Sequence, residues 1–217
     1  MQDLYEKFIN YLEQENKDDA LLFIHDLLKS NTITLDMLYD DFIRPALTEF
    51  SCKSDDEDYC IWKEHTRTSI IRTILESTYP YLIELKKNVK LNQKRIVVVC
   101  PSEEYHEVGA LIITNYFTLS GFEAVFIGAN TPKEDILKAV KALKPDFLAL
   151  SVTNYYNLVV TKRITDSIKT DYPHIKIIVG GQAFLHPGAL NSIQYDYHLN
   201  SKEDILKFGG SLYETSL

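Results

Sequence analysis

The chain has 217 residues, 45% hydrophobic and 25% charged, with a net charge of −8. That length and composition suit a globular protein of one large domain or two small ones, and no apolar run reaches the ~18 residues that a membrane-spanning helix needs. The acidity is uneven: residues 1–90 hold 11 Lys/Arg against 18 Asp/Glu, and residues 91–217 hold 12 against 13, so the acidic first half repels phosphate backbones and direct nucleic-acid binding is not expected.

The opening Met-Gln-Asp-Leu-Tyr-Glu-Lys lacks the basic-then-apolar layout of a signal peptide. Residues 1–89 read as helices. Leu4, Phe8, Ile9 and Leu12 form one stripe, and Leu21, Leu22, Ile24, Leu27 and Leu28 form a second. Thr34 is placed to cap a third helix carrying Leu35, Leu38, Phe42, Ala46 and Leu47, with Pro45 predicting a kink or break near Ile43. Ser54 to Asp58 is an acidic loop or helix start. A fourth helix carries Ile61, His65, Ile71, Ile74 and Leu75, and Pro80 interrupts or ends the helical run beyond it. Short connections predict a four- or five-helix antiparallel bundle. Cys52, Cys60 and Cys100 are odd in number and widely spaced. They make neither a disulfide framework nor a metal knuckle, so a reducing cytoplasm is the expected setting.

Lys86 to Lys94 is a basic, polar linker, and residues 90–217 form the second domain. The period now changes. Strands are predicted at Arg95–Cys100, Ala124–Gly128, Phe147–Val152, Ile175–Gly180 and, more weakly, Tyr195–His198. Helices are predicted at His106–Ser120, Pro132–Leu143, Leu158–Asp171 and Ser201–Tyr213. This alternation predicts a doubly wound, flavodoxin-like α/β domain with a five-stranded parallel sheet. Ligands of such folds sit outside the carboxyl ends of the strands, near the point where the strand order reverses.

Three features meet on that edge: Glu104-x-His106-x-x-Gly109, Ser151-Val152-Thr153 and Gly180-Gly181. A neutral imidazole is a common metal ligand whose second nitrogen is usually fixed by a carboxylate or hydroxyl. Glu104 stands two residues from His106, and Ser151 or Thr153 could extend the relay. Gly109 would let a bulky group lie close to the helix. Gly180 and Gly181 remove side chains where a ligand could pass between backbone segments. One histidine suits a metal already held by a macrocycle better than a bare ion. Tyr155, Tyr156 and Asn157 line the same slot or form a solvated loop. His25, His174, His186 and His198 lack metal-ligand spacing and are assigned to the surface. No Ser-His-Asp order, P-loop or dinucleotide fingerprint is present, so stand-alone catalysis is not expected.

These residues resemble the cobalamin-binding signature Asp/Glu-x-His-x-x-Gly, Ser-x-Leu/Thr, Gly-Gly. The intervals, 45 residues from His106 to Ser151 and 29 more to Gly180, are similar to those of that family, as is the stretch "GANTPKEDILKAVKALKPDFLALSVT" (128–153). The resemblance implies that His106 ligates cobalt from the lower face and displaces the cofactor's own benzimidazole. It also implies that Tyr105, Val108, Gly109, Ser151, Thr153 and the glycine pair surround the cofactor and its nucleotide tail. The helical half resembles the four-helix cap of light-responsive MerR-type repressors, and also that of methionine synthase and small corrinoid methyl carriers. Glu64-His65 and the upstream "DFIRPAL" (41–47) carry this likeness. The sensory group implies adenosylcobalamin, with Glu64 and His65 lining the upper face; methylcobalamin and hydroxocobalamin are the other forms considered. That group places Trp, often followed by His, ten residues before the Glu, where this chain has Ser54 and Asp55. Its one tryptophan, Trp62, either serves from another angle or packs in the core. A chain that starts at the bundle leaves no room for a winged helix, so signalling is expected through a protein partner or a homo-oligomer. The alternative is a methyl-carrying subunit of a methyltransferase system, and a third reading is a degenerate domain that binds no corrinoid.

Overall fold

Two units make up the chain, Met1–Lys87 and Asn88–Leu217; the structure, a computed structural model, describes residues 1–50 and 57–214. The first unit is helical: α1 (Gln2–Glu13), α2 (Lys17–Lys29), α3 (Leu35–Met37), a π-helical segment (Leu38–Ile43), α4 (Arg44–Thr48), α5 (Glu57–Ser77) and α6 (Tyr79–Lys86). Side chains start two of these helices. Asn16 accepts from the Asp19 amide, and Thr34 accepts from the Met37 amide at 3.2 Å, each satisfying an otherwise orphan donor. Pro45 has no N–H for the Asp41 carbonyl. The run from Leu35 to Thr48 absorbs this by widening into the π segment before α4 begins. Pro80 lies in the first turn of α6, where the missing donor is harmless.

Phe8, Ile24, Leu38, Phe42, Ile43, Ile71 and Ile74 are fully buried, with Phe8 and Phe42 meeting edge to face at 5.9 Å. Burying each such side chain contributes about 1.5–3 kcal/mol. Leu22, an expected stripe member, is exposed, because it follows Leu21 by about 100° around the helix and misses the core face. Ile61 is exposed as well. His25 is partly buried, not superficial, with Nε2 2.9 Å from the Ser77 hydroxyl. Cys60 is disulfide-bonded, against the expectation of reduced cysteines, whereas Cys100 is free and buried. Cysteine number and spacing alone do not exclude a bridge. Cys52, Ser54 and Asp55 lie outside the described residues.

The second unit contains β1 (Arg95–Pro101), α7 (Val108–Leu119), β2 (Glu123–Thr131), α8 (Lys133–Leu143), β3 (Phe147–Ser151), α9 (Leu158–Asp171), β4 (Lys176–Gly180), β5 (Tyr197–His198) and α10 (Lys202–Glu214). The strands form one parallel sheet ordered β2-β1-β3-β4-β5. The order reverses between β1 and β3. Alternate side chains point to opposite faces. Val97, Val99, Leu148, Leu150, Ile177 and Val179 join Ile136, Val140, Ile164 and Ile168 of α8 and α9 in one core layer. Aromatic rings build another: Phe122 stacks on Phe208 at 5.7 Å, and both meet Phe147 edge to face.

The amino edge of the sheet is tied by two aspartates. Asp146 accepts from the Arg95 amide and from Lys94, each at 2.9 Å. Asp196 accepts from the Ile177 amide at 2.8 Å, from Lys176 at 3.1 Å, and from Lys169. β2 is longer than its apolar run predicts, and its pairing with β1 shifts register after Val98 and again after Val99. The shifts surround Gly128 (φ 141°) and Asn130 (φ 48°). β5 is shorter than expected, and His198 within it is partly buried, with its Nε2 sealed from solvent.

Candidate functional site

β1 ends at Pro101, and the chain crosses the carboxyl edge of the sheet in a loop before α7. The expected helix start at His106 is therefore corrected to Val108. The cause is local: Glu104 Oε1 takes the His106 backbone N–H at 3.2 Å and stands 2.6 Å from its ring Nδ1. One carboxylate oxygen thus fixes both the turn and the imidazole. The Glu104 side chain is 0% exposed, while that of His106 is 55% exposed.

The other oxygen of Glu104 is held from β3. Oε2 accepts from the Thr153 amide at 2.8 Å, the Asn154 amide at 2.9 Å and the Asn157 side-chain amide at 3.1 Å. Burial pushes this carboxyl up, but the hydrogen bonds from His106, Asn154, Thr153 and Asn157 outweigh it and hold it down at about 2. The relay anticipated through the Ser151 or Thr153 hydroxyl is thus made by backbone N–H groups and by Asn157. Glutamate has one methylene more than the aspartate of the common signature and can reach them. Ser151 instead hydrogen-bonds Cys100, whose thiol is pushed up to about 12 by burial and by the charges of Glu104 and Glu107.

The loop itself is pinned. Asn130 Oδ1 accepts from the Glu103 amide at 2.9 Å, and its own amide donates to the Glu104 carbonyl at 2.8 Å. Glu103 is left-handed, with φ 67°. The remaining candidates divide by environment. Tyr105 is exposed and Val108 is buried under the start of α7. A Cβ on Gly109 would meet nothing within 4 Å, so packing within the protein does not demand glycine there. Gly180 and Gly181 differ: an added Cβ would lie 2.5 Å from the Leu199 carbonyl oxygen and 2.3 Å from that of Val152. The segments these glycines admit are the chain's own. Tyr155 and Tyr156 are exposed, with Tyr155 4.9 Å from the His186 ring. On α5 of the helical unit, Trp62, Glu64 and His65 are all exposed. Trp62 is 44% exposed, which corrects core packing as its role, and Lys63 lies over its ring at 5.7 Å.

Among the described residues no group of three or more His, Cys, Asp or Glu could hold a bare metal ion. A single oriented imidazole beside open space at Gly109 fits a metal that a macrocycle already holds. Residues 94–205 match the family described as the B12 binding domain. The chain belongs to the B12-binding family. The B12-binding domain accounts for the parallel sheet and places the Glu104–His106 loop and the β3 end inside the matched region.

Over 165 residues the chain is 26% identical to the HTH-type transcriptional repressor CarA of Myxococcus xanthus, covering 76% of this chain and 54% of that one. It is 28% identical over 114 residues to the repressor CarH of the same organism, covering 52% and 36%. The chain thus spans about half or less of these curated relatives. The fold is similar to that of the monomethylamine corrinoid protein of Methanosarcina barkeri, with a TM-score of 0.74 at 15% identity over 98% of this chain and 99% of that one. A cobalamin-binding protein from Desulfitobacterium hafniense matches at 0.52 and 15% identity, covering 97% and 90%. No described helix is long and apolar enough to cross a membrane.

Proposed function

We propose that this is a cytoplasmic cobalamin-binding sensory or regulatory protein that holds the cofactor base-off, with His106 as the lower axial ligand of cobalt. The observation that supports this most is the fully buried Glu104 gripping Nδ1 of a half-exposed imidazole at the strand-order reversal. With Nδ1 engaged by Glu104, Nε2 is the nitrogen for coordination, and the carboxylate partner raises its basicity. Bound there, cobalamin supplies an organometallic upper bond whose loss can act as a signal.

The residues of this domain that would hold it are His106, Glu104, Tyr105, Val108, Gly109, Ser151, Thr153, Gly180 and Gly181. Glu104 sets the plane of the ring, and the Thr153 and Asn154 amides keep Glu104 charged and in place. The form bound is adenosylcobalamin, because the Glu64-His65 pair of the helical unit resembles sensory caps. The similarity to CarA and CarH supports a regulatory role, exerted through a protein partner or a change of oligomer.

A visible spectrum after mixing with adenosyl-, methyl- and hydroxocobalamin, repeated on His106→Ala, tests the reading. A spectral change on binding that depends on His106 is expected; identical spectra for the two proteins overturn it. The second reading, a corrinoid methyl carrier, is favoured by the fold likeness over nearly the whole of the monomethylamine corrinoid protein. Methylation of the loaded protein by a cognate methyltransferase selects that reading, and a change in gel-filtration profile on illumination selects the first.

A further inference from the structure

We propose that Asn157 is a positioning residue for His106: its side-chain amide places the Glu104 carboxylate and the loop that carries it, and so sets the strength of axial ligation. This deepens the reading of His106 as the lower ligand and rests on it. Asn157 is 5% exposed. Its Nδ2 has two hydrogens and two acceptors, the Glu103 carbonyl and Glu104 Oε2, both at 3.1 Å. A buried primary amide left unpaired is costly, and this arrangement uses its full donor capacity.

The base from which Asn157 reaches is rigid. It ends the turn Tyr155–Asn157, which Asn154 shapes by accepting from the Tyr156 amide at 3.0 Å. The Asn157 amide donates to the Asn154 carbonyl at 3.0 Å, and its carbonyl accepts from the Thr161 hydroxyl at 2.8 Å. From there the side chain spans to a loop more than 50 residues earlier in sequence. Among the described residues that hydrogen-bond the Glu104 carboxylate, His106 and Asn157 use side chains and the others are backbone amides that any sequence provides. Asn157 is thus the contact through which sequence can tune the ligand's partner without touching the ligand. It also holds the Glu103 carbonyl while Asn130 holds the Glu103 amide, fixing a left-handed residue that would relax if either were lost.

The test uses the full chain loaded with hydroxocobalamin and reduced to the cobalt(II) state, read by electron paramagnetic resonance. Wild type is expected to show nitrogen splitting that disappears in His106→Ala. Asn157→Leu, of similar size and with no donor, is expected to keep cobalamin but to lower the equilibrium constant for His106–cobalt coordination about 10- to 100-fold, the range for lost outer-shell partners, so that nitrogen splitting is reduced. Asn157→Ser, with one donor, is expected to fall between. Wild-type splitting in both variants, with or without a drop in apo-protein melting temperature, overturns the role of Asn157 and leaves His106 standing. Absence of His106-dependent splitting in wild type overturns both. If Asn157→Leu does not fold, the Asn157→Ser spectrum decides alone: unchanged splitting refutes the proposal and reduced splitting supports it.

Discussion

Carboxylates organise both edges of the parallel sheet, but with different partners. At the amino edge, Asp146 takes the amide that begins β1 and Asp196 that of the second residue of β4, and lysines answer their charge. At the carboxyl edge, Glu104 is sealed from water and takes three backbone amides, a carboxamide and an imidazole. A lysine carries its charge at any physiological pH and neutralises its partner on the spot. An imidazole is a conditional cation and a metal ligand. The amino edge therefore holds strands together, whereas the carboxyl edge leaves a half-exposed ring at the surface.

Removing the buried anion tests this contrast most severely. Glu104→Ala leaves the Thr153 and Asn154 amides and the Asn157 side chain facing a void. Loss of one member of such a buried charged network typically costs about 3–5 kcal/mol. Urea unfolding followed by circular dichroism should show that loss in the apo protein; an unchanged midpoint would mean that the network adds nothing to the fold. Gly181→Ala comes next. At φ 106° and 2.3 Å from the Val152 oxygen, the new methyl forces backbone movement, with an expected penalty of roughly 3 kcal/mol in the same assay.

The amino edge should yield less. Asp196→Asn is expected to cost about 1 kcal/mol near neutral pH. Burial pushes the Asp196 carboxyl up, but Lys169, the Ile177 amide and Lys176 outweigh it and hold it below its ordinary 3.8. Its contribution is therefore complete above that ordinary value and fades as pH falls through the lower folded value. The gap between wild type and Asp196→Asn should close on acidification below about pH 4; a gap that widens there would contradict the sign. Gly109→Ala should do least to the apo protein, shifting stability by about 1 kcal/mol or less and in the favourable direction, because alanine prefers helix. The same change should weaken cobalamin retention on a desalting column. Undiminished retention would show that the space beside α7 is not used.

Much of this was legible from residue order. The β-branched run at Arg95–Cys100, the strand–helix alternation after it and the Thr34 cap all read correctly because each rests on local chemistry. The Glu104–His106 contact was legible for the same reason, since two residues of separation bring the groups together. The further partners of Glu104 are not legible, because the Thr153 and Asn154 groups are backbone amides and motifs record side chains. Asn157 stood only among possible slot-lining residues because nothing in its neighbourhood signals a target more than 50 residues back. The glycine pair was noticed for a ligand's sake, yet the carbonyls of Leu199 and Val152 press on it, an approach that only the folded chain reveals. Large aromatics usually pack inside, which makes the core one of two readings of Trp62, but its face of α5 is exposed.

The irregular pairing of β2 has an effect beyond the site it helps to build. An outermost strand nine residues long and rich in apolar side chains is the kind of rim on which sheets grow by adding copies of themselves. Two slips in register spoil its regularity. The rim is thus a poor template for fibre growth, and the same kinks that bring Asn130 to the Glu104–His106 loop guard the protein against its own edge.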